Sequence, residues 1–364
     1  MTDAPDLMTS DHPSLAKRLL RVGIFIAVLV LVFGWLLPQI VDYDLIADAI
    51  TGLTWEQLAV LLLLSLLRVP TEAMVYRAML PGLRLIAGSG AYLSSNVAAN
   101  FMPPPASSIV QYAYFRAEGF ESSASMTGAV GSFVFPQGGR IVLPIVAFVV
   151  LLLAGAVDTE ALVITAVAVV IVAVVVVIIR KIGQSEQSAR WVGAKLAAIA
   201  SWVLVKFGKE PVDDLGDQVV DFRDNAYAVV RDRWAIGSIA VALNLLITYL
   251  ILVAALRAVD VDQSQLGLVA IFACFAVAFF AGVVIPITGS GLGVVDVVMV
   301  SSLSASATSG VDVNIIVAAV VLWRVFYGIL AIIPGALTLT LFTRANRDLL
   351  SEAAGELRGD DDES

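Results

Sequence analysis

Residue types on which many soluble enzymes depend are scarce in this 364-residue chain. It has one cysteine, Cys274, and one histidine, His12, so an intramolecular disulfide and a histidine–cysteine metal site are excluded. The same scarcity argues against nucleophilic catalysis by a serine–histidine or cysteine–histidine pair. Charged residues make up only 15% of the chain, against roughly 25% in an ordinary soluble domain.

Apolar side chains are in excess. The hydrophobic fraction is 59% and the mean hydropathy is +0.93, which exceeds what a water-soluble fold can bury and predicts a bilayer as solvent. Because no polar stretch reaches the roughly 100 residues of a separate soluble domain, we predict an all-α integral membrane protein with one polytopic domain over 20–345. The tails 1–19 and 346–364 are predicted to be cytoplasmic, the second of them acidic.

Six apolar runs are long enough to cross a bilayer. They cover 20–38, 56–79, 122–154, 161–179, 235–257 and 313–342. The first lacks a convincing small-residue cleavage site after it, so we expect an uncleaved span rather than a signal peptide.

Two further apolar regions, 86–116 and 265–308, are interrupted by residues that stop helices. The helix-breaking residues are Pro103, Pro104 and Pro105 in the first region, and Pro286, Gly289, Gly291 and Gly293 in the second. Broken backbone at membrane depth is tolerated only where protein or a water-filled cavity satisfies it. We therefore predict two re-entrant helical hairpins, with paired short spans as the alternative.

The distribution of Lys and Arg predicts the orientation. The loops near 39–55, 155–160 and 308–313 contain neither residue and are predicted to lie outside. Both termini and the basic segment 182–233 are then cytoplasmic. Apolar residues recur in that segment at intervals of three or four, which predicts amphipathic helices, either on the membrane surface or packed on the protein itself.

The predicted topology contains two units of opposite orientation, 56–154 and 235–342. In each, a span is followed by a broken region and then by another span. The spacing from Pro103 to Arg140 matches that from Pro286 to Arg324 within one residue. Inverted repeats with broken helices are typical of transporters, so we predict an inverted repeat. Coincidence is the alternative, since residue identity between the units is slight.

Arg68, Arg140 and Arg324 fall inside predicted spans, where a central arginine costs roughly 2.5–3.5 kcal/mol. One hypothesis is that they form internal ion pairs, with Glu72 and Asp296 as candidate partners. The other is that they bind an anionic substrate, because a guanidinium matches phosphate geometry. In the second case, Arg140 and Arg324 are expected to line one polar cavity.

Helices are predicted to restart after Pro105 and after Gly291, and helix N-termini favour phosphate. Polar side chains near these points are candidates for substrate binding together with the arginines and Asp296. They are Asn100, Ser107, Ser108, Gln111, Gln137, Thr288 and Ser290.

The run from Pro286 to Asp296, followed by Arg324, resembles the signature of the flippase-like membrane domain of lysylphosphatidylglycerol synthases. That family's usual pattern is Pro-x-x-Pro-Gly-Gly-x-Gly-x-x-Glu. Here Gly289 stands at its second proline, Ser290 at its first glycine and Asp296 at its glutamate, while 100–119 resembles its earlier proline-rich element. The resemblance covers roughly 20–345. It implies lipid translocation, and the short stretch after the last span implies no aminoacyl-transferase domain.

We therefore expect a translocase in the cell membrane that moves an anionic phospholipid, or a lipid-linked phosphate or glycan intermediate, between leaflets. A non-transporting scaffold subunit of an envelope-lipid or glycan pathway is the alternative. An intramembrane enzyme is a third, with only scattered Asp, Glu and Ser to support it. We predict no metal, no cofactor and no nucleic-acid partner, and leave a homo-oligomer open.

Overall fold

The chain forms two compact units in a computed structural model, Met1–Gly52 and Leu53–Ser364. The structure describes residues 51–101, 106–155, 216–284, 293–308 and 310–346, together with isolated positions between 170 and 194. The first unit, with the predicted span 20–38, lies almost entirely outside the described residues. The second unit contains everything that follows.

The second unit is all-helical in its described part. Its helices are α1 (Trp55–Met79), α2 (Leu85–Phe101), α3 (Ala106–Ala117), α4 (Ser122–Leu153), α5 (Gly216–Ala258), α6 (Leu268–Val284), α7 (Val294–Ser306), α8 (Val313–Arg324) and α9 (Ile332–Ala345). A single π-helical turn, Val325–Ile329, joins α8 to the segment before α9.

Four helical stretches are long and apolar enough to cross a membrane. They are Trp55–Met79, Ser122–Leu153, Arg233–Ala258 and Val313–Ala345. Each agrees within a few residues with a predicted span, because an uninterrupted apolar run of about 20 residues is a strong signal. The predicted span 161–179 lies outside the described ranges.

Side chains cap the first turns of α1 and α8. The Thr54 hydroxyl accepts the Gln57 backbone N–H, and the Gln57 side chain accepts the Thr54 backbone N–H in return, which caps the start of α1. Asp312 caps α8 by accepting the Asn314 backbone N–H at 2.8 Å. These caps satisfy backbone donors that a helix leaves without partners at its first turn.

Both predicted interruptions separate helices. In the first region α2 ends at Phe101 and α3 begins at Ala106, directly after the proline triplet. In the second α6 ends at Val284 and α7 begins at Val294, behind Gly293 with a φ of 91° that favours glycine. The other predicted helix-breaking residues lie outside the described residues.

One boundary differs from prediction. The sequence predicts a new span at 235 after a separate amphipathic helix, but α5 runs without interruption from Gly216 to Ala258, 43 residues. At about 1.5 Å per residue such a helix is roughly 65 Å long, about twice the hydrocarbon thickness. The residues from 216 to 232 therefore continue the same helix beyond the candidate span, and their place on the cytoplasmic side stays a prediction.

The helices α1 and α5 form an antiparallel pair at the centre of the bundle. Gln57, near the start of α1, donates to the carbonyl of Ala258 at the end of α5. At the other end, a Cβ on Gly237 of α5 would lie 2.9 Å from the terminal methyl carbon of Met79. Small residues at such crossings let the backbones approach closely.

Several contacts between helices match when α1–α4 are compared with α5–α9. α2 packs against α9, and α6 packs against α4. In addition, α1 contacts α4 and α5 contacts α8. Other contacts differ between α1–α4 and α5–α9. α1 packs closely on α2, whereas α5 barely contacts α6, and α4 packs on α5, whereas α1 contacts the last span mainly at its π-helical turn.

Candidate anion site in the helix bundle

Arg68 of α1 is bound by groups from three elements of the bundle, although its Nε has no hydrogen-bond partner among the described residues. Its Nη2 donates to Glu72 Oε1 at 2.8 Å, one turn further along the helix. Its Nη1 donates to the Tyr327 carbonyl at 2.9 Å and to the Tyr92 hydroxyl. The residue is only 6% exposed. The candidate ion pair with Glu72 is thus confirmed, and a role of Arg68 in substrate binding stays a prediction.

Arg68 also supports the π-helical turn. In such a turn each backbone N–H donates to the carbonyl five residues earlier, instead of four as in an α-helix. The Leu330 N–H donates in this way to the Val325 carbonyl. Ser65 donates to the Phe326 carbonyl at 2.6 Å, and Arg68 donates to the next carbonyl. Side chains of α1 therefore bind the carbonyl groups of Phe326 and Tyr327, in a segment where every buried carbonyl needs a donor.

Arg324, the last residue of α8, pairs with Asp296 of α7. Its Nε donates to Asp296 Oδ1 at 2.8 Å. The side chains are 13% and 28% exposed, respectively. Asp296 also accepts the Gly293 N–H and so caps the start of α7. The second predicted ion pair is confirmed, and it links two helices, whereas Arg68 and Glu72 share one.

Arg140 differs from the other two arginines. Its Nη1 donates to Gln137 Oε1 at 3.2 Å, one turn earlier on α4. Its guanidinium lies 5.3 Å from the centre of the Phe279 ring. Like that of Arg68, its Nε is buried without a hydrogen-bond partner. What sets Arg140 apart is that, within the described part of the chain, no carboxylate lies at ion-pair distance from it.

An aromatic cluster brings the three arginines together. Tyr327 stacks on Trp323 with ring centres 4.9 Å apart, and Phe279 contacts both rings edge-on. The Arg68 guanidinium lies 4.2 Å from the Tyr327 ring centre, and that of Arg324 lies 5.7 Å from it. Aromatic faces attract cations, so Trp323, Tyr327 and Phe279 hold the charges side by side inside the bundle.

The predicted shared cavity is only partly present. A cavity of about 20 Å³, room for one water molecule, lies beside Arg140. Glu72, Asn244 and Tyr327 also line it, but Arg324 does not. In this conformation the cavity is too small for a phosphate group.

The other predicted site residues differ in their contacts. Gln137 contacts Arg140, as described above. Gln111 is committed to a buried network in which it donates to Tyr76 and accepts the Ser132 hydroxyl at 2.7 Å. Asn100 bonds only to Asn96 on its own helix among the described residues.

Ser107 and Ser108 lie half-buried in the first turn of α3, as expected from the proline break. Thr288 and Ser290 lie outside the described residues. The predicted helix start at residue 106 therefore carries hydroxyls, but no contact joins them to the arginines in the described ranges.

Sequence reasoning missed the aromatic part of the site. Tyr327 lies three residues after Arg324, a spacing that places both on one helix face, so the sequence could have indicated Tyr327 as a neighbour of Arg324. Phe279 sits in an apolar run, and Tyr92 is 24 residues from Arg68 in the chain, so neither carried a local signal. Among the residues that the structure describes, no cluster of three His, Cys, Asp or Glu side chains offers a metal site.

The residues of the sequence signature that the structure describes lie together: α7 begins at Val294, directly after Gly293, and its Asp296 pairs with Arg324 of the last span. The family described as the lysylphosphatidylglycerol synthase TM region matches residues 19–335. The chain belongs to this family. A search of the curated proteins finds no match. Family and apolar helices together make it a multi-pass membrane protein, and the family is consistent with a role connected to membrane lipids.

Proposed function

We propose that this protein moves an anionic phospholipid, or a lipid-linked phosphate, between the leaflets of the cell membrane. The observation that carries the proposal is Arg140, a permanently charged side chain in a span without a carboxylate partner among the described residues. Such a charge inside a membrane is costly unless it serves a partner or a cavity. A phosphate oxygen supplies the acceptor that its free Nε–H lacks.

Arg324 is the second contact in this proposal. Its partner Asp296 is on another helix and is partly exposed, so a separation of α7 from α8 would release the guanidinium toward the same aromatic cluster. The cavity beside Arg140 would then enlarge toward Arg324. The helix start at α3, with Ser107 and Ser108, offers backbone and hydroxyl donors for the same headgroup.

The architecture that we propose is an inverted repeat, with α1–α4 and α5–α9 as the two units. The matching packing of α2 on α9 and of α6 on α4 supports it, because a two-fold rotation exchanges these pairs. We further propose that the broken regions are re-entrant and that both termini are cytoplasmic. Inverted units around a central site are a common basis of alternating access.

A scaffold without transport activity is the competing function. It would use Arg68, Arg140 and Arg324 alike as internal contacts, and the confirmed pairs of Arg68 and Arg324 favour it. The unpaired state of Arg140 favours transport. We propose no catalytic role for any residue.

Reconstitution in liposomes tests the proposal. Fluorescent phosphatidylglycerol in the inner leaflet is protected from dithionite, and translocation exposes it. We expect the full chain to expose this lipid, Arg140→Gln to abolish the exposure, and Arg140→Lys to reduce it strongly, because lysine lacks the planar fork of arginine.

Arg344→Gln is the matched control, since Arg344 is exposed in the last turn of α9. It should translocate like the unmodified chain. Folded yield is measured on the same preparations. If the unmodified chain moves neither phosphatidylglycerol nor a polyprenyl phosphate, or if Arg140→Gln is fully active per folded molecule, the scaffold is the better description.

A further inference from the structure

A groove at one end of the α1–α5 pair is distinct from the arginine cluster. Its volume is about 390 Å³, within the range of roughly 300–1,000 Å³ typical of small-molecule sites. Arg77 and Arg233 line it, and Ile236 and Ile239 contribute apolar wall. It shares no lining residue with the cavity beside Arg140.

The two arginines of this groove lack counter-charges. Neither Arg77 nor Arg233 makes an ion pair or hydrogen bond with any residue that the structure describes. Nearby Arg84 shows the contrast, because it donates to both carboxylate oxygens of Glu118 at 2.9 Å, and these bonds raise the pKa of Arg84. Two unpaired guanidiniums around one groove favour an anionic occupant.

The groove lies at one end of two candidate membrane spans, Trp55–Met79 and Arg233–Ala258. Arg77 is in the last turn of α1, and Arg233 begins the apolar stretch of α5. Because these helices are antiparallel, both arginines lie at the same end of the pair. From there Ile236 and Ile239, 56% and 67% exposed, follow α5 into its apolar stretch.

We propose that this groove binds the headgroup phosphate of an anionic phospholipid taken from the bilayer. Arg77 and Arg233 bind the phosphate, and the first part of an acyl chain lies against Ile236 and Ile239. A phospholipid in this position pairs with the two arginines and also covers the exposed apolar side chains, whereas a soluble anion would pair with the arginines alone. The site acts independently of translocation, since it is formed by other residues than Arg140 and Arg324.

Trp234, adjacent to Arg233 and 61% exposed, provides a local reporter. The full chain is reconstituted with equal fractions of dibrominated phosphatidylglycerol or dibrominated phosphatidylcholine, which quench tryptophan on contact. Subtracting the signal of a Trp234→Phe variant isolates the groove. We expect a clear preference for phosphatidylglycerol, with each arginine contributing a factor of about five.

The variants separate this site from general surface charge. Arg77→Gln and Arg233→Gln should each lower the preference about fivefold, and the double variant should bring it close to equality. Arg77→Lys with Arg233→Lys should retain much of it, while Arg84→Gln, which removes a paired charge at the same end, should not change it. If the double variant does not fold, as judged by circular dichroism, the single variants decide.

Three results would overturn the proposal. The first is equal quenching by the two lipids in the unmodified chain, and the second is an equal loss in Arg84→Gln and Arg77→Gln. The third is displacement of the brominated lipid by excess inorganic phosphate, which would assign the groove to a soluble anion. None of these readouts depends on lipid movement, so the translocation hypothesis stands or falls separately.

Discussion

The two halves of the bundle, α1–α4 and α5–α9, differ in the groups that bind Arg140 and Arg324. In the second half, Arg324 is bound to Asp296, the third residue of α7. In the first half, Arg140 occupies the matching position after the break, but α3 contains no acidic residue. Arg140 therefore relies on a neutral amide, that of Gln137, and on the face of Phe279.

This difference decides whether a guanidinium stabilises a contact between helices or stays available for a ligand. A guanidinium bound to a carboxylate is electrically satisfied and stabilises the contact between two helices. One that is bound to an amide keeps its full charge for a ligand, at the cost of being poorly solvated in the apo state. The first half, in which α3 lacks an acid to pair with Arg140, is thus the half in which we place the first contact with substrate.

The largest effect is expected where an arginine is most deeply bound. Arg68→Gln removes the bonds to Glu72 and Tyr327 and leaves the partly buried Glu72 carboxylate without its cation. We expect the free energy of unfolding to fall by about 3–5 kcal/mol, measured by titration of detergent-solubilised protein with SDS. Ser65→Ala, which removes one bond to the same turn, should lose only about 1 kcal/mol. Equal losses would show that Arg68 is no more important to the turn than a single hydroxyl.

Breaking the pair in the second half should have an intermediate effect. Asp296→Asn keeps an oxygen to cap α7 but leaves Arg324 without its counter-charge. Because the pair is partly exposed, we expect a loss of about 1.5–3 kcal/mol in unfolding free energy. Asp312→Asn is the control, since it also caps a helix and has no ion-pair partner within the described ranges; it should change stability little.

The position of Arg140 is itself fixed by packing, which a glycine pair can test. A Cβ on Gly139 would lie 2.4 Å from Val241 Cγ1 of α5, whereas one on Gly138 would meet nothing within 4 Å. Gly139→Ala should therefore cost about 1–3 kcal/mol of unfolding free energy, and Gly138→Ala should cost nothing. If both are tolerated, α4 has freedom to shift against α5 and the contact with Phe279 is not fixed.

The sequence predicted the four described spans and both interruptions because these depend on local composition: apolar length, the proline triplet and the glycine-rich run. It also named Glu72 and Asp296 as candidate ion-pair partners, with anion binding as the other hypothesis, and the structure pairs them with Arg68 and Arg324. It did not predict the π-helical turn, since that turn is bound by Ser65 and Arg68 from a helix about 260 residues earlier in the chain. Nor did it separate Arg140 from the other two, because the missing partner is a property of the packed bundle.

The smallest change in stability is expected from the substitution that makes the halves alike. Gln137→Glu places a carboxylate where the amide oxygen already lies 3.2 Å from Arg140 Nη1. The added pair lies within one turn of a helix, where such pairs stabilise by about 0.2–0.5 kcal/mol, so the unfolding transition should hardly move.

Transport should respond far more than stability to this substitution. If the uncompensated charge of Arg140 attracts the headgroup, Gln137→Glu neutralises it internally and should reduce translocation of fluorescent phosphatidylglycerol to near background. Gln137→Met is the matched control, because it also removes the amide but leaves the charge of Arg140 free, and it should remain active. Full translocation by Gln137→Glu at normal folded yield would mean that the charge of Arg140 does not attract the lipid headgroup. The difference between the two halves would then concern only how each half is held together.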